Sequence, residues 1–327
     1  MSEKIMAEIA DRMAKCIQCG ACEKVCPSFR FGGCDPKEVM AGKPGNVTKC
    51  VQCGACSRVC KNTDPVTVML YMKAKAVGSS IPMVYRETGF VRPVSDVSRS
   101  ELRPVWKDGG QYLMSGCIVE SFAPFLIYAG TVAIEVVGEG CTELPKNTCC
   151  TYPLPFRTMT FAERDAIKKD MGDSASGKPI VALCPGCEAE LRRSDVNATH
   201  IVNFLADRKD KLPKFHKKIK VAIEPGCHYS DLLDDMIAVT KALGAEYVDN
   251  DFGCCGKAVQ GITEPLMEER EAEVEGADVL LVACPMCFTR YDAYPNGVPV
   301  MHVAELVAAA AGDTRTLAYH KLRPAVF

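Results

Sequence analysis

Three observations predict an α+β protein, in which a cysteine-rich helical region precedes two related α/β units. The first 65 residues contain two four-cysteine runs with the same spacing. No cysteine lies between residues 61 and 110, and a second cysteine pattern then occurs twice. Within each copy, short apolar runs alternate with helical patterns, which predicts parallel strands joined by helices. We therefore expect a helical domain over residues 1–75, a connector over 76–110, a first α/β lobe over 111–215 and a second over 216–327.

Composition narrows the class of protein. The chain has 327 residues, 20 cysteines and a formal net charge of −2, so its charge gives no reason to expect nucleic acid or acidic membranes as partners. The N-terminal segment "MSEKIMAEIADRMAKC" lacks the apolar core of a secretory signal, and no run approaches the ~20 apolar residues of a membrane span. We therefore expect a cytoplasmic chain that meets a membrane only through a partner. In the cytosol, clustered cysteines are more often metal-bound or catalytic than disulfide-paired.

The N-terminal runs, "CIQCGACEKVC" and "CVQCGACSRVC", both have the spacing C-x2-C-x2-C-x3-C. This spacing is typical of a bacterial two-cluster ferredoxin, in which the fourth cysteine of each run binds the other four-iron cubane. It predicts one cubane held by Cys16, Cys19, Cys22 and Cys60, and a second held by Cys50, Cys53, Cys56 and Cys26. A doubled four-cysteine run is a poor match to zinc spacing. We therefore expect a ferredoxin-like helical domain with two 4Fe-4S clusters.

A helix is expected over "DPVTVMLYMKAKAVG", with Asp64 as its cap, Pro65 in its first turn and Gly78 at its end. The following segment is rich in Pro, Ser and Arg and has no sustained period, which predicts a connector.

The second pattern reads C…CC…C-P-x-C in each copy. Its cysteines are Cys117, Cys149, Cys150, Cys184 and Cys187 in the first copy, and Cys227, Cys254, Cys255, Cys284 and Cys287 in the second. The apolar runs "PIVALC" and "VLLVAC" lead into the C-P-x-C turns as buried strands would. A helix with Ser230 as a possible cap and Gly244 at its end follows Cys227. Two pseudo-repeated, Rossmann-like α/β lobes are therefore predicted, with the cysteines on turns at strand ends.

Five thiolates exceed the four that a cubane needs, so a cluster that takes all five has to be opened, with one thiolate bridging two irons. The glycines Gly253 and Gly256 allow a turn that points both sulfurs of the adjacent pair inward. The alternative chemistry is thioredoxin-like dithiol exchange at the C-P-x-C pairs. That alternative leaves three cysteines of each copy without a role.

The doubled element resembles the cysteine-rich CCG domain of heterodisulfide reductases, and the N-terminal region resembles their small two-cubane subunit. The order here is similar to the fused D subunit of methanogens. The resemblance implies a noncubane 4Fe-4S cluster on each five-cysteine set, and cleavage of the coenzyme M–coenzyme B heterodisulfide by the two clusters together. Related domains occur in thiol:fumarate reductases and in lactate, glycolate and glycerol-3-phosphate oxidation complexes. Both copies here are complete, which favours disulfide chemistry, although Thr151 stands where the first copy would have the name-giving glycine.

Three functions follow as hypotheses. The first is a disulfide-reducing catalytic subunit, with neither flavin nor nicotinamide on this chain because no Gly-rich dinucleotide fingerprint occurs. Its electrons would come from a flavoprotein, a cytochrome b, a hydrogenase or a formate dehydrogenase. The second is an electron-relay subunit of a flavin-dependent hydroxy-acid or thiol:fumarate oxidoreductase, and the third is an assembly or sensing protein.

Several residues remain outside this scheme. His228 could protonate a product thiolate or only hydrogen-bond the backbone at a helix start. His200 and His302 occupy equivalent positions, which predicts a shared structural role, and His216 and His320 are expected on the surface. Two leftover cysteines, Cys34 and Cys141, are expected to be small buried side chains. The basic run "DRKDKLPKFHKKIK" is expected to be a solvated linker, with capture of an anionic substrate as the alternative.

Overall fold

The computed structural model describes residues 2–95, 101–226, 232–294 and 297–327. Short helices make up the N-terminal region. They are α1 (Glu3–Ala14), α2 (Ala21–Lys24), α3 (Pro27–Arg30), α4 (Pro36–Met40), α5 (Ala55–Val59), α6 (Pro65–Ala76) and α7 (Met83–Thr88), with a 3-10 turn at Val47–Lys49.

Helix α6 begins and ends where its sequence predicts. Asp64 precedes it, Pro65 is its first residue, and Gly78 follows it with a φ of +61°, a conformation that glycine adopts without strain. The helix buries Tyr71 and its apolar neighbours against α1 and α4, which makes it the centre of this domain.

The connector is more ordered than its sequence predicts, because it contains helix α7. Gly89, with a φ of +78°, ends this helix, and the Tyr85 ring packs edge-on against Phe156 with 4.9 Å between ring centroids. The segment has no sustained period because this short helix is held by contacts with the first lobe, which include a hydrogen bond of 2.9 Å from the Cys149 amide to the Gly89 carbonyl oxygen.

The first lobe contains a four-stranded parallel sheet in the order β2-β1-β3-β4. Its elements are β1 (Gln111–Met114), α8 (Cys117–Phe122), α9 (Phe125–Val136), β2 (Cys141–Glu143), α10 (Phe161–Ser174), β3 (Ile180–Ala182), α11 (Pro185–Arg192), β4 (Ala198–His200) and α12 (Ile201–Ala206). Two 3-10 turns lie at Leu154–Thr158 and Lys209–Lys211.

The second lobe repeats this topology, with the order β6-β5-β7-β8 and all strands parallel. Its elements are β5 (Lys220–Glu224), α13 (Leu233–Ala242), β6 (Glu246–Val248), α14 (Thr263–Glu273), β7 (Val279–Val282), α15 (Pro285–Tyr291), β8 (Val300–His302) and α16 (Val303–Ala310), followed by a 3-10 turn at Arg315–Tyr319. The predicted cap Ser230 lies outside the described residues. The fold class is thus the predicted one, a helical ferredoxin-like region followed by two parallel-sheet lobes.

The two lobes share one hydrophobic core. Helix α9 packs on α16 of the second lobe and, at Gly130, against Leu113 and Leu183 of the first. Every residue from Phe125 to Ile134 is buried, because this helix is apolar on all faces. The Phe125 ring meets Phe288 of the second lobe edge-on, with centroids 5.7 Å apart. The pairing turns the two sets of strand ends toward a common region.

Strand order determines where the cysteines lie. In each lobe the chain leaves the first strand to one side and returns to the third strand on the other, so the carboxyl ends of these two strands flank a crevice. Cys117 follows β1 and Cys184 follows β3, which places both at that crevice. None of the helices in the described ranges is long and apolar enough to cross a membrane.

Candidate metal centres

The cysteines assigned to the first cubane line one cavity of about 220 Å³. They are Cys16, Cys19, Cys22 and Cys60. Gly20 begins α2 with a φ of +78°, so the loop turns sharply between the second and third cysteines. Four thiols around one cavity are the donor set that a four-iron cluster requires. Their role as ligands stays a prediction.

The cysteines assigned to the second cubane also share a cavity, in which Cys26 of the first run joins Cys50, Cys53 and Cys56 of the second. A fifth cysteine, Cys34, lies in the same wall. Its thiol is hydrogen-bonded to Cys50, which raises the pKa of Cys34 and lowers that of Cys50. Burial raises the pKa of Cys26 to about 12. Cys34 is buried as expected, but nothing in its sequence spacing predicts its place beside a ligand set.

In the first lobe, the five motif cysteines form a continuous group, in which Cys184 is half-buried and the other four are buried. The Sγ atoms of Cys117 and Cys149 are 2.8 Å apart, and Cys187 is hydrogen-bonded to both Cys150 and Cys184. The hydrogen bonds from Cys149 and Cys187 lower the pKa of Cys150 well below its usual value. All five cysteines of the first copy therefore meet at the ends of β1, β2 and β3.

The adjacent cysteine pairs need a left-handed residue directly after them. Thr151 has a φ of +67° and its counterpart Gly256 has a φ of +68°. A Cβ on Gly256 would lie 2.7 Å from the Cα of Thr263, so glycine is required there. Thr151 adopts the same conformation with a β-branched side chain, which is a strained arrangement. Thr151, where the second copy has glycine, therefore keeps the turn geometry at a cost in backbone strain.

The second lobe assembles four of its five cysteines within the described residues. The Sγ atoms of Cys255 and Cys287 are 3.6 Å apart, Cys284 is hydrogen-bonded to Cys287, and the Gly256 amide donates to Cys254 Sγ at 3.3 Å. The remaining cysteine, Cys227, and the proposed proton donor His228 lie outside the described residues.

Glu224 connects two turns of this second site. Its carboxylate oxygens accept hydrogen bonds from the amides of Gly226 and Gly253, each at 2.9 Å. These glycines precede Cys227 and Cys254, so one buried side chain holds both turns. Burial raises the pKa of Glu224 to about 7.

The cysteine groups of the two lobes touch each other. Cys184 and Cys284, the first residues of the two C-P-x-C turns, are hydrogen-bonded side chain to side chain, and this contact lowers the pKa of Cys284. His302 lies behind them, with its Nε2 3.2 Å from the carbonyl oxygen of Leu183 and 3.1 Å from that of Ala283. Because these carbonyls precede the two cysteines, His302 connects the two turns.

His200 and His302 have the same local role. Each Nδ1 accepts the amide N–H two residues later, at 3.2 Å for His200 and 3.3 Å for His302, and so caps the helix that follows. Burial lowers both pKa values, that of His200 to about 3. Both imidazoles are therefore neutral at physiological pH, in structural positions.

The surface position expected for His320 is wrong. Its ring is buried between Phe125 and Phe288, and its Nε2 lies 2.9 Å from Glu305 Oε1. The sequence has no local pattern for this position, because the three partners come from distant helices. His216 is exposed as expected, Cys141 is buried as expected, and the lysines of the basic run are exposed.

The four cysteine groups surround cavities or form extended sets. Within the described ranges, no three His, Cys, Asp or Glu side chains converge on the single point that one metal ion requires.

Comparison with known protein families gives matches in the N-terminal region and in both lobes. The model for a 4Fe-4S dicluster domain matches residues 7–64, and the cysteine-rich domain model, CCG, matches residues 113–192 and 221–291. The comparison with curated proteins found no significant match. The domain combination is consistent with the iron–sulfur B and D subunits of heterodisulfide reductases. The chain is therefore an iron–sulfur electron-transfer protein that joins a 4Fe-4S dicluster domain to two CCG cysteine-rich domains.

Proposed function

We propose that this chain is the catalytic iron–sulfur subunit of a heterodisulfide reductase-like complex, and that it reduces a small-molecule disulfide at its two CCG sites. The observation that carries the proposal is the meeting of the two C-P-x-C turns. His302 Nε2 lies 3.2 Å from the Leu183 carbonyl oxygen and 3.1 Å from that of Ala283, and the side chains of the cysteines that follow are in contact. This meeting makes the two cysteine groups neighbours, so the two sulfurs of one disulfide can each be close to a different site. The coenzyme M–coenzyme B heterodisulfide is the proposed substrate because of the resemblance described above.

The reaction adds two electrons and two protons to one disulfide, breaks its S–S bond and yields two thiols. Bound noncubane clusters would supply single electrons and iron that captures each substrate sulfur. The residues of the chain hold the two sites together: His302 connects the C-P-x-C turns, and Glu224 connects the turns before Cys227 and Cys254. We assign protonation of a product thiolate to His228.

A groove of about 480 Å³ supports access of a small anionic molecule to the second site. Cys254 lies in its wall, together with the exposed rings of Phe29 and Phe252. Its charged lining residues are Glu23, Lys24, Arg30 and Arg270, and Glu269 pairs with both arginines. Three cations against two carboxylates leave a net positive charge for an acidic group of the substrate.

Electrons would enter through the dicluster domain, whose eight motif cysteines line the two N-terminal cavities. The donor would be a separate subunit: a flavoprotein, a cytochrome b, a hydrogenase or a formate dehydrogenase. An alternative role is electron relay in a flavin-dependent hydroxy-acid oxidoreductase, which would use the same clusters without a disulfide.

The test uses protein purified without oxygen, with iron measured first. Two cubane and two noncubane clusters require about sixteen irons, four per cluster. Half-reduced protein is then mixed with a panel of disulfides and followed by electron paramagnetic resonance, and we expect a new signal from a cluster that carries one substrate thiolate. Cys150→Ser and Cys255→Ser should abolish the signal, whereas Cys141→Ser, in a buried position outside the site, should retain it.

Two outcomes would replace the proposal. About eight irons after full reconstitution, with both CCG sites free of metal, would remove the proposed active site. If no disulfide produces a signal, and a lactate- or glycolate-oxidising flavoprotein reduces the clusters rapidly, the relay role is the correct one.

A further inference from the structure

Gln52 is contacted by both CCG lobes. It lies in the loop between Cys50 and Cys53 of the second cubane motif. The Tyr152 hydroxyl donates to the backbone carbonyl oxygen of Gln52 at 3.0 Å, and Lys257 Nζ donates to its side-chain Oε1 at 3.4 Å. One residue of the dicluster domain thus contacts both lobes.

Tyr152 and Lys257 occupy the same position in the repeat. Each is the second residue after the adjacent cysteine pair of its lobe, two residues after Cys150 and Cys255 respectively. They also contact each other, since Lys257 Nζ lies 5.0 Å from the centroid of the Tyr152 ring. The left-handed residue that precedes each of them turns the chain toward the dicluster domain.

Hydrogen bonds connect the predicted ligand sets through this junction. The Gln52 amide donates to Cys50 Sγ at 3.4 Å, the Gln52 carbonyl accepts from the Tyr152 hydroxyl, and the Tyr152 amide is hydrogen-bonded to the Cys150 sulfur. Arg157 holds Tyr152 in place, because its Nη2 donates to the Tyr152 carbonyl at 3.1 Å and its guanidinium lies over the Tyr152 ring. The connection from Cys50 to Cys150 therefore passes through only two residues.

We propose that Gln52 is the branch point at which electrons pass from the second cubane to both CCG sites, with Tyr152 as the arm to the first site and Lys257 as the arm to the second. The inference rests on the cluster assignment made above, and it holds for disulfide reduction and for electron relay alike. Each step moves one electron: the cubane is oxidised by one electron and a CCG centre is reduced by one. Tyr152 keeps its hydroxyl proton, so no proton crosses the junction.

The two arms differ chemically. The tyrosine arm ends on the backbone of Gln52, and the lysine arm ends on its side chain through a longer hydrogen bond. Replacement of the Gln52 side chain therefore interrupts the lysine arm alone. This difference allows each arm to be removed separately.

The test uses the full-length, cluster-loaded protein and no disulfide. A photochemical one-electron donor of low potential reduces the dicluster domain, and rapid-freeze electron paramagnetic resonance follows the decay of the cubane signal and electron arrival at the CCG sites. We expect a fast and a slow phase in the parent protein. Tyr152→Phe should slow the fast phase several-fold, and Lys257→Met and Gln52→Ala should each slow the slow phase several-fold.

Matched variants separate this role from a structural one. Gln18 is the equivalent glutamine of the first motif, with a φ of +55° against +58° for Gln52, and its side chain donates to Cys16 Sγ at 3.3 Å. Gln18→Ala should therefore shift the potential of the first cubane alone, and leave both phases of transfer from the second cubane unchanged. Lys257→Arg should restore the slow phase. Lys49→Met removes a nearby positive charge that is hydrogen-bonded to the Gln260 carbonyl, so it controls for a change in driving force.

Iron content and midpoint potentials are measured on every variant, as a readout other than activity. Parent rates in Tyr152→Phe, Lys257→Met and Gln52→Ala, with all clusters intact, would overturn the proposal. Equal slowing by Gln18→Ala, with the potential of the second cubane unchanged, would also overturn it, since that result would assign the effect to the cluster loops in general. Loss of the disulfide-dependent signal with normal transfer phases would reject the proposed disulfide-reducing function, but it would not reject the role of Gln52 in electron transfer.

Discussion

Replacement of Glu190 by alanine should strongly destabilise the first lobe. The Glu190 side chain is 4% exposed and lies 2.8 Å from Arg164 and 3.5 Å from Lys168, whose side chains are 6% and 4% exposed. Burial opposes ionisation of Glu190, but the surrounding cations outweigh it and lower the pKa, so the carboxylate is charged at neutral pH. The variant would therefore leave buried positive charge without its counterion.

The size of the stability loss depends on which polar partners Lys168 and Arg164 retain in the variant. Lys168 retains Asp165 at 2.8 Å, whereas Arg164 retains the Tyr71 hydroxyl at 3.4 Å as its polar partner. Removal of one partner from a buried ion pair costs about 3–5 kcal/mol. With an unfolding entropy of about 2.1 cal/mol/K per residue over a chain of this length, that loss corresponds to a decrease in Tm of about 4–7 °C.

The assay is thermal unfolding of the cluster-loaded protein without oxygen, followed by circular dichroism at one fixed scan rate, because cluster loss makes unfolding irreversible. Arg193→Ala is the matched control: Arg193 also lies 2.8 Å from Glu190, but it is 65% exposed, so its removal should cost at most about 1 kcal/mol. The double variant Glu190→Ala/Arg164→Met should recover much of the loss. A loss below about 1 kcal/mol in Glu190→Ala would refute the reasoning, because it would show that the network is solvated.

Two further predictions concern single buried groups. Cys34→Ala should lower the midpoint potential of the cubane assigned to Cys50 without loss of iron, because it removes a hydrogen bond to a ligand sulfur; redox titration measures this, and an unchanged potential, matching the control Cys141→Ala, would contradict it. His320→Gln should destabilise the protein most at low pH. Burial lowers the pKa of His320, but the charge and hydrogen bond of Glu305 raise it by more, so the pKa lies above its usual value. Its stabilising effect is then complete below the usual pKa of about 6.5 and declines as the pH rises through the raised value, so a Tm difference between parent and variant that grows from pH 6 to pH 8.5 would refute the pairing.

Much of the architecture followed from local sequence. Helix α6 is bounded by Asp64, Pro65 and Gly78, whose effects act within one turn of the chain. The alternation of apolar runs and helices predicted two parallel-sheet lobes, since residues that continue a strand or cross over to the next are close in sequence. The cysteine spacing also predicted which cysteines would lie together in the N-terminal domain.

Other features depended on contacts between distant segments. Helix α7 is held by the packing of Tyr85 on Phe156, and His320 is buried because Glu305, Phe125 and Phe288 surround it. No periodicity within either segment contains this information, because the partners lie on other elements. The same holds for Cys34, which lies beside Cys50 although its spacing matches neither motif.

The candidate site divides in the same way. The sequence by itself determined the doubled unit and predicted the four cysteine groups, because spacing within a motif restricts which sulfurs can surround one cluster. Only the tertiary structure decided that Cys184 and Cys284 meet and that Tyr152 and Lys257 both reach Gln52. These contacts arise from the packing of α9 on α16 and of both lobes on the dicluster domain, and packing between domains depends on whole surfaces that no single motif encodes.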